Sequence, residues 1–114
     1  MKTLTIAFIL IGIFSISTIA QTDDKTTAID VVNQLFAGMK AKDAEQIKSV
    51  FSAEGQLVAI DKPRDGKGIS KTRILSGEAF AKMISEAKGG DFIEMMPSPE
   101  ARVSGDMALV TGRY

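Results

Sequence analysis

Histidine, cysteine and tryptophan are all missing from this chain, and tyrosine occurs once. Without cysteine there is no disulfide, no lipid attachment through a lipobox, no thiol nucleophile and no thiolate metal site. Without histidine the commonest general base and metal ligand is gone, which leaves carboxylates, lysine, tyrosine and hydroxyls as the catalytic menu. An excess of either charge is missing too, since 14 basic side chains stand against 14 acidic ones. That balance gives no global attraction for nucleic acid or an anionic membrane, so neither is expected as a partner. A long apolar run is also lacking. The stretch 4–14 falls well short of the roughly 20 apolar residues that a membrane span needs.

That stretch reads instead as part of a signal peptide. Lys2 supplies a basic n-region, 4–14 an apolar h-region, and Thr18 and Ala20 the small residues of an A-x-A-like cleavage site. Cleavage after Ala20 is expected, with export to the periplasm or the medium and no stable membrane anchor afterwards. Removing Lys2 leaves 13 basic against 14 acidic side chains, a net charge of minus one. What remains, 21–114, is long enough for one domain, though near the size where burial barely outweighs chain entropy.

Residues 21–25 are polar and read as frayed. Ala28, Ile29, Val32, Leu35, Phe36 and Met39 then recur at three-and-four spacing, which predicts a helix over 27–40. Asp43 is a cap for a second, two-turn helix ending near Ser52, with Gln46 placed to complete a capping box and Ile47, Val50 and Phe51 as its apolar stripe. Residues 56–60 predict a first strand, 61–68 an exposed loop, and 72–75 a brief extended piece. Ser76 is an N-cap for a helix over 77–88 with Phe80, Met83, Ile84 and Ala87 on its apolar face, ended by Gly89-Gly90. Strands are predicted at 92–96, 100–103 and 107–114, the last two as a hairpin. Helices first and strands grouped late make an α+β domain rather than a βαβ fold.

Several local phrases in this order carry a resemblance: Phe36-Ala37-Gly38-Met39-Lys40-Ala41-Lys42-Asp43-Ala44-Glu45, Phe51-Ser52-Ala53-Glu54-Gly55, Arg73-Ile74-Leu75-Ser76-Gly77-Glu78-Ala79-Phe80, and Val103-Ser104-Gly105-Asp106-Met107-Ala108-Leu109-Val110. Over 27–114 the chain resembles the nuclear transport factor 2-like superfamily, which includes ketosteroid isomerases and polyketide cyclases, and more closely its exported bacterial, lumazine-binding-like members. The resemblance implies a cone-like curved antiparallel β-sheet packed on about three helices, with an apolar pocket between the layers. It also implies two further strands after Tyr114. Either the chain is a fragment, or a partner chain or a rearranged edge covers the last strand, and a homodimer through the sheet is one such arrangement.

In ketosteroid isomerases an Asp base works beside an oxyanion hole of Tyr and a protonated Asp. The resemblance places that base near Ala59, and alanine cannot do it. Asp61, two residues along the same strand face, and Glu94 are the candidate bases. Against Asp61 stands the polar loop that Lys62-Pro63 opens at once. Phe36, Phe51, Phe80, Met95 and Tyr114 are the candidate ligand-binding residues, by analogy with the family's pocket. Methionine and phenylalanine suit an adaptable lining, and plain core equally well.

No metal or cofactor is expected. Asp61, Asp65 and Gly66 suggest a calcium loop, but Pro63 takes the third ligand position and Thr72 the twelfth, where a bidentate Glu is needed. Gly66-Lys67-Gly68 lacks the spaced glycine and the Lys-Ser/Thr pair of a phosphate loop. Lys62, Arg64, Lys67, Lys71 and Arg73 form a basic cluster without interleaved aromatics, which reads as a solvated loop. Two functions stay open: an exported domain that binds a small apolar molecule or dimerises without catalysis, and an isomerase- or cyclase-like enzyme using a carboxylate.

Overall fold

The computed structural model describes residues 17–114. The expected signal peptide lies outside the described residues except for 17–20, which open the first helix. Three helices and four strands follow one another as α1 (Ser17–Ala41), α2 (Ala44–Ser49), β1 (Gln56–Asp61), β2 (Lys71–Ser76), α3 (Gly77–Glu86), β3 (Glu100–Ser104) and β4 (Met107–Thr111). The domain is α+β. Its strands pair antiparallel as two ribbons, β1 with β2 and β3 with β4.

Helix α1 begins earlier than its apolar periodicity suggests. The hydroxyls of Thr26 and Thr27 donate to the carbonyls of Thr22 and Asp23, at 3.0 and 2.9 Å, so this polar turn satisfies its own side chains along the helix. Its far end closes in a Schellman arrangement. The Lys42 amide donates to the Met39 carbonyl at 3.1 Å, and the Asp43 amide to Gly38 at 3.0 Å. The left-handed residue at this closure, usually glycine, is Lys42 (φ 54°).

Lys42 adds something glycine lacks. Its Nζ donates to the Ala87 carbonyl, 3.1 Å away, and lies 5.8 Å from the Phe92 ring centroid. The C-terminal ends of α1 and α3 are thereby tied together.

Asp43 caps α2 as expected, its carboxylate accepting from the Gln46 amide at 3.1 Å. The return half of the capping box is not made, because the Gln46 side chain donates instead to the Gln34 carbonyl on α1 at 3.4 Å. That bond ties α2 to α1. The sequence suggests an end near Ser52, but the helix stops at Ser49.

In α3, Ser76 accepts from the Ala79 amide at 3.1 Å. The buried face is Gly77, Phe80, Ala81 and Ile84, at the helical spacing of three and four. Met83, expected on that face, lies exposed, with its sulfur 3.6 Å from Arg73 Nη1.

The core joins Met39 of α1, Ile47 of α2, and Phe80, Ala81 and Ile84 of α3. Leu35, Phe36, Ala44, Phe51, Leu57, Leu75 and Phe92 pack around it in part. Two glycines permit the close approaches. A Cβ on Gly38 would stand 3.0 Å from Ile47 Cγ1, and one on Gly77 would stand 2.6 Å from both Cβ and Cγ of Phe51. Gly77 is also bonded through its amide to the Gly55 carbonyl at 3.3 Å, which anchors the start of α3 at the entry to β1.

Each ribbon leans on a helix: α3 packs on β1 and β2, and α1 packs on β3 and β4. Leu57 opposite Leu75 and Ala59 opposite Arg73 form the inward face of the first ribbon, while Val58, Ile60 and Ile74 face out. The expected strand at 92–96 does not form, and these residues run without ladder bonds. Pro97 and Pro99 just beyond them offer no amide for a ladder.

Candidate functional site

The inner face of β1 and the core-facing stripe of α1 do not close on each other. Between them lies a cavity of about 580 Å³, within the size range of small-molecule sites. Its walls are Leu35, Phe36 and Met39 from α1, residues 57–60 of β1, Phe80 from α3, and Glu94 and Tyr114 from the C-terminal third. Helical spacing puts Leu35, Phe36 and Met39 on one stripe of α1. A second hollow of about 430 Å³ shares Phe36 and Glu94 with the first and adds Asn33, Ala37, Lys40, Ile93, Met95, Met96 and Pro97. Phe36 and Glu94 therefore line both spaces.

The aromatic residues are placed unequally. Phe80 is 5% exposed and forms the cavity floor. Phe36 is half-buried, and Tyr114, itself 82% exposed, leans over it at a ring separation of 6.3 Å and a tilt of 47°. Tyr114 thus stands at the mouth. Met95, 71% exposed, reaches only the second hollow. Phe51 lines neither space. It packs edge-on against Phe80, with ring centroids 6.2 Å apart and planes at 63°, beneath Gly77. Its part is to buttress the Phe80 ring from behind.

The two candidate bases separate cleanly. Asp61 ends β1 outside the cavity wall, and its Oδ1 accepts from Arg73 Nη2 at 3.1 Å, with both side chains about half exposed. Glu94 is half-buried and is the only charged residue lining the larger cavity. Its carboxylate makes no ion pair and no hydrogen bond among the described residues. The only other polar side chain on that wall is the Tyr114 phenol.

The loop between β1 and β2 is a solvated turn. The Gly66 amide donates to the Pro63 carbonyl at 3.1 Å and the Lys67 amide to Asp65 Oδ1 at 3.0 Å, so Asp65 organises the loop itself. Among the described residues no three His, Cys, Asp or Glu side chains gather to hold a metal ion. No described helix is long and apolar enough to cross a membrane.

The sequence reading missed Leu35, Met39, Leu57, Ala59 and Lys40 as lining residues. The first four carry a legible signal, the apolar stripe and the strand alternation. Pattern alone, however, does not tell a wall from a core. A further hollow of about 510 Å³, lined by Pro97, Ser98, Glu100, Thr111, Gly112 and Arg113, has no core side chain in its wall. The α1–β1 cavity does, which makes it the candidate site. No family model matches the chain, and neither does any curated protein or solved structure.

Proposed function

We propose that this chain is an exported domain of the nuclear transport factor 2-like kind that holds a small apolar molecule in the cavity between α1 and β1. The observation that carries this reading is the wall itself. Nine of its ten lining residues are aliphatic, aromatic or thioether side chains, five of them (Leu35, Phe36, Met39, Leu57 and Phe80) in the hydrophobic core or packed on it. A cavity between a helical layer and the inner face of a strand ribbon is what a cone-like sheet around helices would enclose. The leader-like start, with Lys2, the apolar stretch 4–14 and Ala20, supports export.

The test is a titration with N-phenylnaphthylamine, a neutral apolar reporter, against the native chain and Ala59→Phe. Ala59 faces the cavity from β1, and a phenyl group there takes up part of the space beside the apolar wall. Saturable binding to the native chain, weakened at least about tenfold by Ala59→Phe, supports the reading. Binding that is absent, or indifferent to Ala59→Phe, refutes it.

A second reading, general acid/base catalysis of the isomerase or cyclase type, is favoured by one observation: Glu94 puts a carboxylate in the apolar wall. Turnover of an activated ketone that is lost in Glu94→Gln would carry this reading. Turnover retained in that variant removes Glu94 from the role. Dimerisation through the ribbons is a further proposal for the unpaired outer edge of β4, whose Met107 and Leu109 are exposed.

A further inference from the structure

Glu94 is out of place in a wall built to hold something purely apolar. A carboxylate half withdrawn from water loses hydration, and a partner of opposite charge normally restores that loss. Among the described residues Glu94 has no such partner. Lys40 is the one cation that lines either of the two spaces Glu94 touches. It belongs to the second hollow alone, is exposed, and forms no ion pair with Glu94. Arg73, on β2 and in neither wall, is taken by Asp61 at 3.1 Å.

Aromatic rings share the larger cavity with Glu94. Phe36 lines both of the spaces that Glu94 lines, and Tyr114 leans over Phe36 at 6.3 Å. Aromatic faces attract cations through their quadrupole, and organic ammonium groups are commonly held by such rings. A carboxylate and two aromatic rings that share one cavity with Met39, Leu57, Ala59 and Phe80 form a surface for a molecule with one charged and one greasy end.

We infer that the ligand is an amphipathic organic cation, an apolar body bearing a protonated amine, with the ammonium on Glu94 and the body in the cavity. This rests on the cavity reading above, and it adds a sign and an orientation. Glu94 supplies the acceptor, Phe36 and Tyr114 the π faces, and the α1–β1 gap the apolar volume.

The test uses three probes of one shape: para-tert-butylbenzylamine, para-tert-butylbenzyl alcohol and para-tert-butylbenzoate. Their dissociation constants are measured by calorimetry near neutral pH with the native chain, Glu94→Gln and Glu94→Asp. A hydrogen bond to a charged group predicts that the amine binds about tenfold or more tighter than the alcohol, with the benzoate weakest. That preference is expected to vanish in Glu94→Gln, to survive in Glu94→Asp, and to shrink as salt is raised.

If the alcohol binds and the amine binds no tighter, or its advantage survives Glu94→Gln, the charge assignment is overturned while the cavity stands. If the benzoate binds tightest, Lys40 rather than Glu94 governs the site and the inference is again overturned. If none of the three binds, the cavity reading falls and takes the inference with it.

Discussion

Replacing Gly77 by alanine sets two physical expectations against each other. Gly77 is the first residue of α3, and alanine is favoured over glycine in a helix by about 0.5–1 kcal/mol, so local propensity predicts a gain. The packing predicts a loss. The new Cβ would lie 2.6 Å from Phe51 Cβ and Cγ, whereas carbon atoms sit comfortably at about 3.5–4.0 Å, so something must move by about 1 Å.

Neither partner is free to move. Phe51 is held edge-on against the buried Phe80, and the Gly77 amide is bonded to the Gly55 carbonyl. Overpacking of this kind costs about 1–3 kcal/mol, which outweighs the helical gain and leaves a net loss of roughly 1–2 kcal/mol. In a domain of this size that lowers the thermal midpoint by about 5–10 °C, readable by circular dichroism. The loss should shrink when Phe51→Leu is added, since a smaller side chain can give way. An unchanged or raised midpoint in Gly77→Ala refutes the seating of Phe51 beneath α3, and with it the buttress behind the cavity floor.

Other expectations can be checked by equilibrium unfolding. Phe80→Ala should cost about 3–5 kcal/mol, whereas Phe36→Ala, whose half-buried ring stands at the cavity wall, should cost about half as much. Lys42→Ala keeps the left-handed backbone but loses the bond to Ala87 and the contact with Phe92, so about 1–2 kcal/mol should disappear. Asp61→Asn opens an exposed pair with Arg73 and should change stability by less than about 0.5 kcal/mol.

Lys48, hydrogen-bonded to Glu45, is held above the ordinary lysine value by that bond first and by the charge of Glu45 second. A raised amine contributes stability that is complete below its unfolded value and lost as pH climbs past the folded one. The contribution of this pair should therefore be constant around neutrality, with no pH dependence there, and be lost only in strong alkali.

The local chemistry of caps and turns was legible from the chain. Asp43 and Ser76 each accept from the amide three residues on, because a short polar side chain before an apolar stripe has few better partners. Longer reach was not legible. Gln46 abandons its own helix cap for the Gln34 carbonyl, which is a neighbour only once α1 and α2 have docked. Residues 92–96 have the composition of a strand, yet they stay unpaired, since a strand also needs a partner edge and sequence does not show one.

The site divides in the same way. Phe36 and Phe80 follow from helical spacing as apolar-face residues, whereas their sharing of one cavity depends on how α1 and α3 dock. Phe51 obeys the same periodicity and nonetheless lies behind the wall, because Gly77 lets it sink beneath α3. Asp61 and Glu94 look equivalent as isolated carboxylates. Only the tertiary positions of Arg73 and of the α1–β1 gap separate them, one neutralised at an edge and the other left in the wall.

Where an apolar molecule comes to rest on the domain is the most direct test of the α1–β1 cavity. Intermolecular nuclear Overhauser contacts between the tert-butyl group of para-tert-butylbenzyl alcohol and assigned methyl groups would locate it. Contacts to Leu35, Met39, Leu57 and Ala59 are predicted, since these methyls line the cavity together. Contacts confined to Met107 and Leu109 on the exposed face of β4, or none at all under saturating conditions, would contradict it.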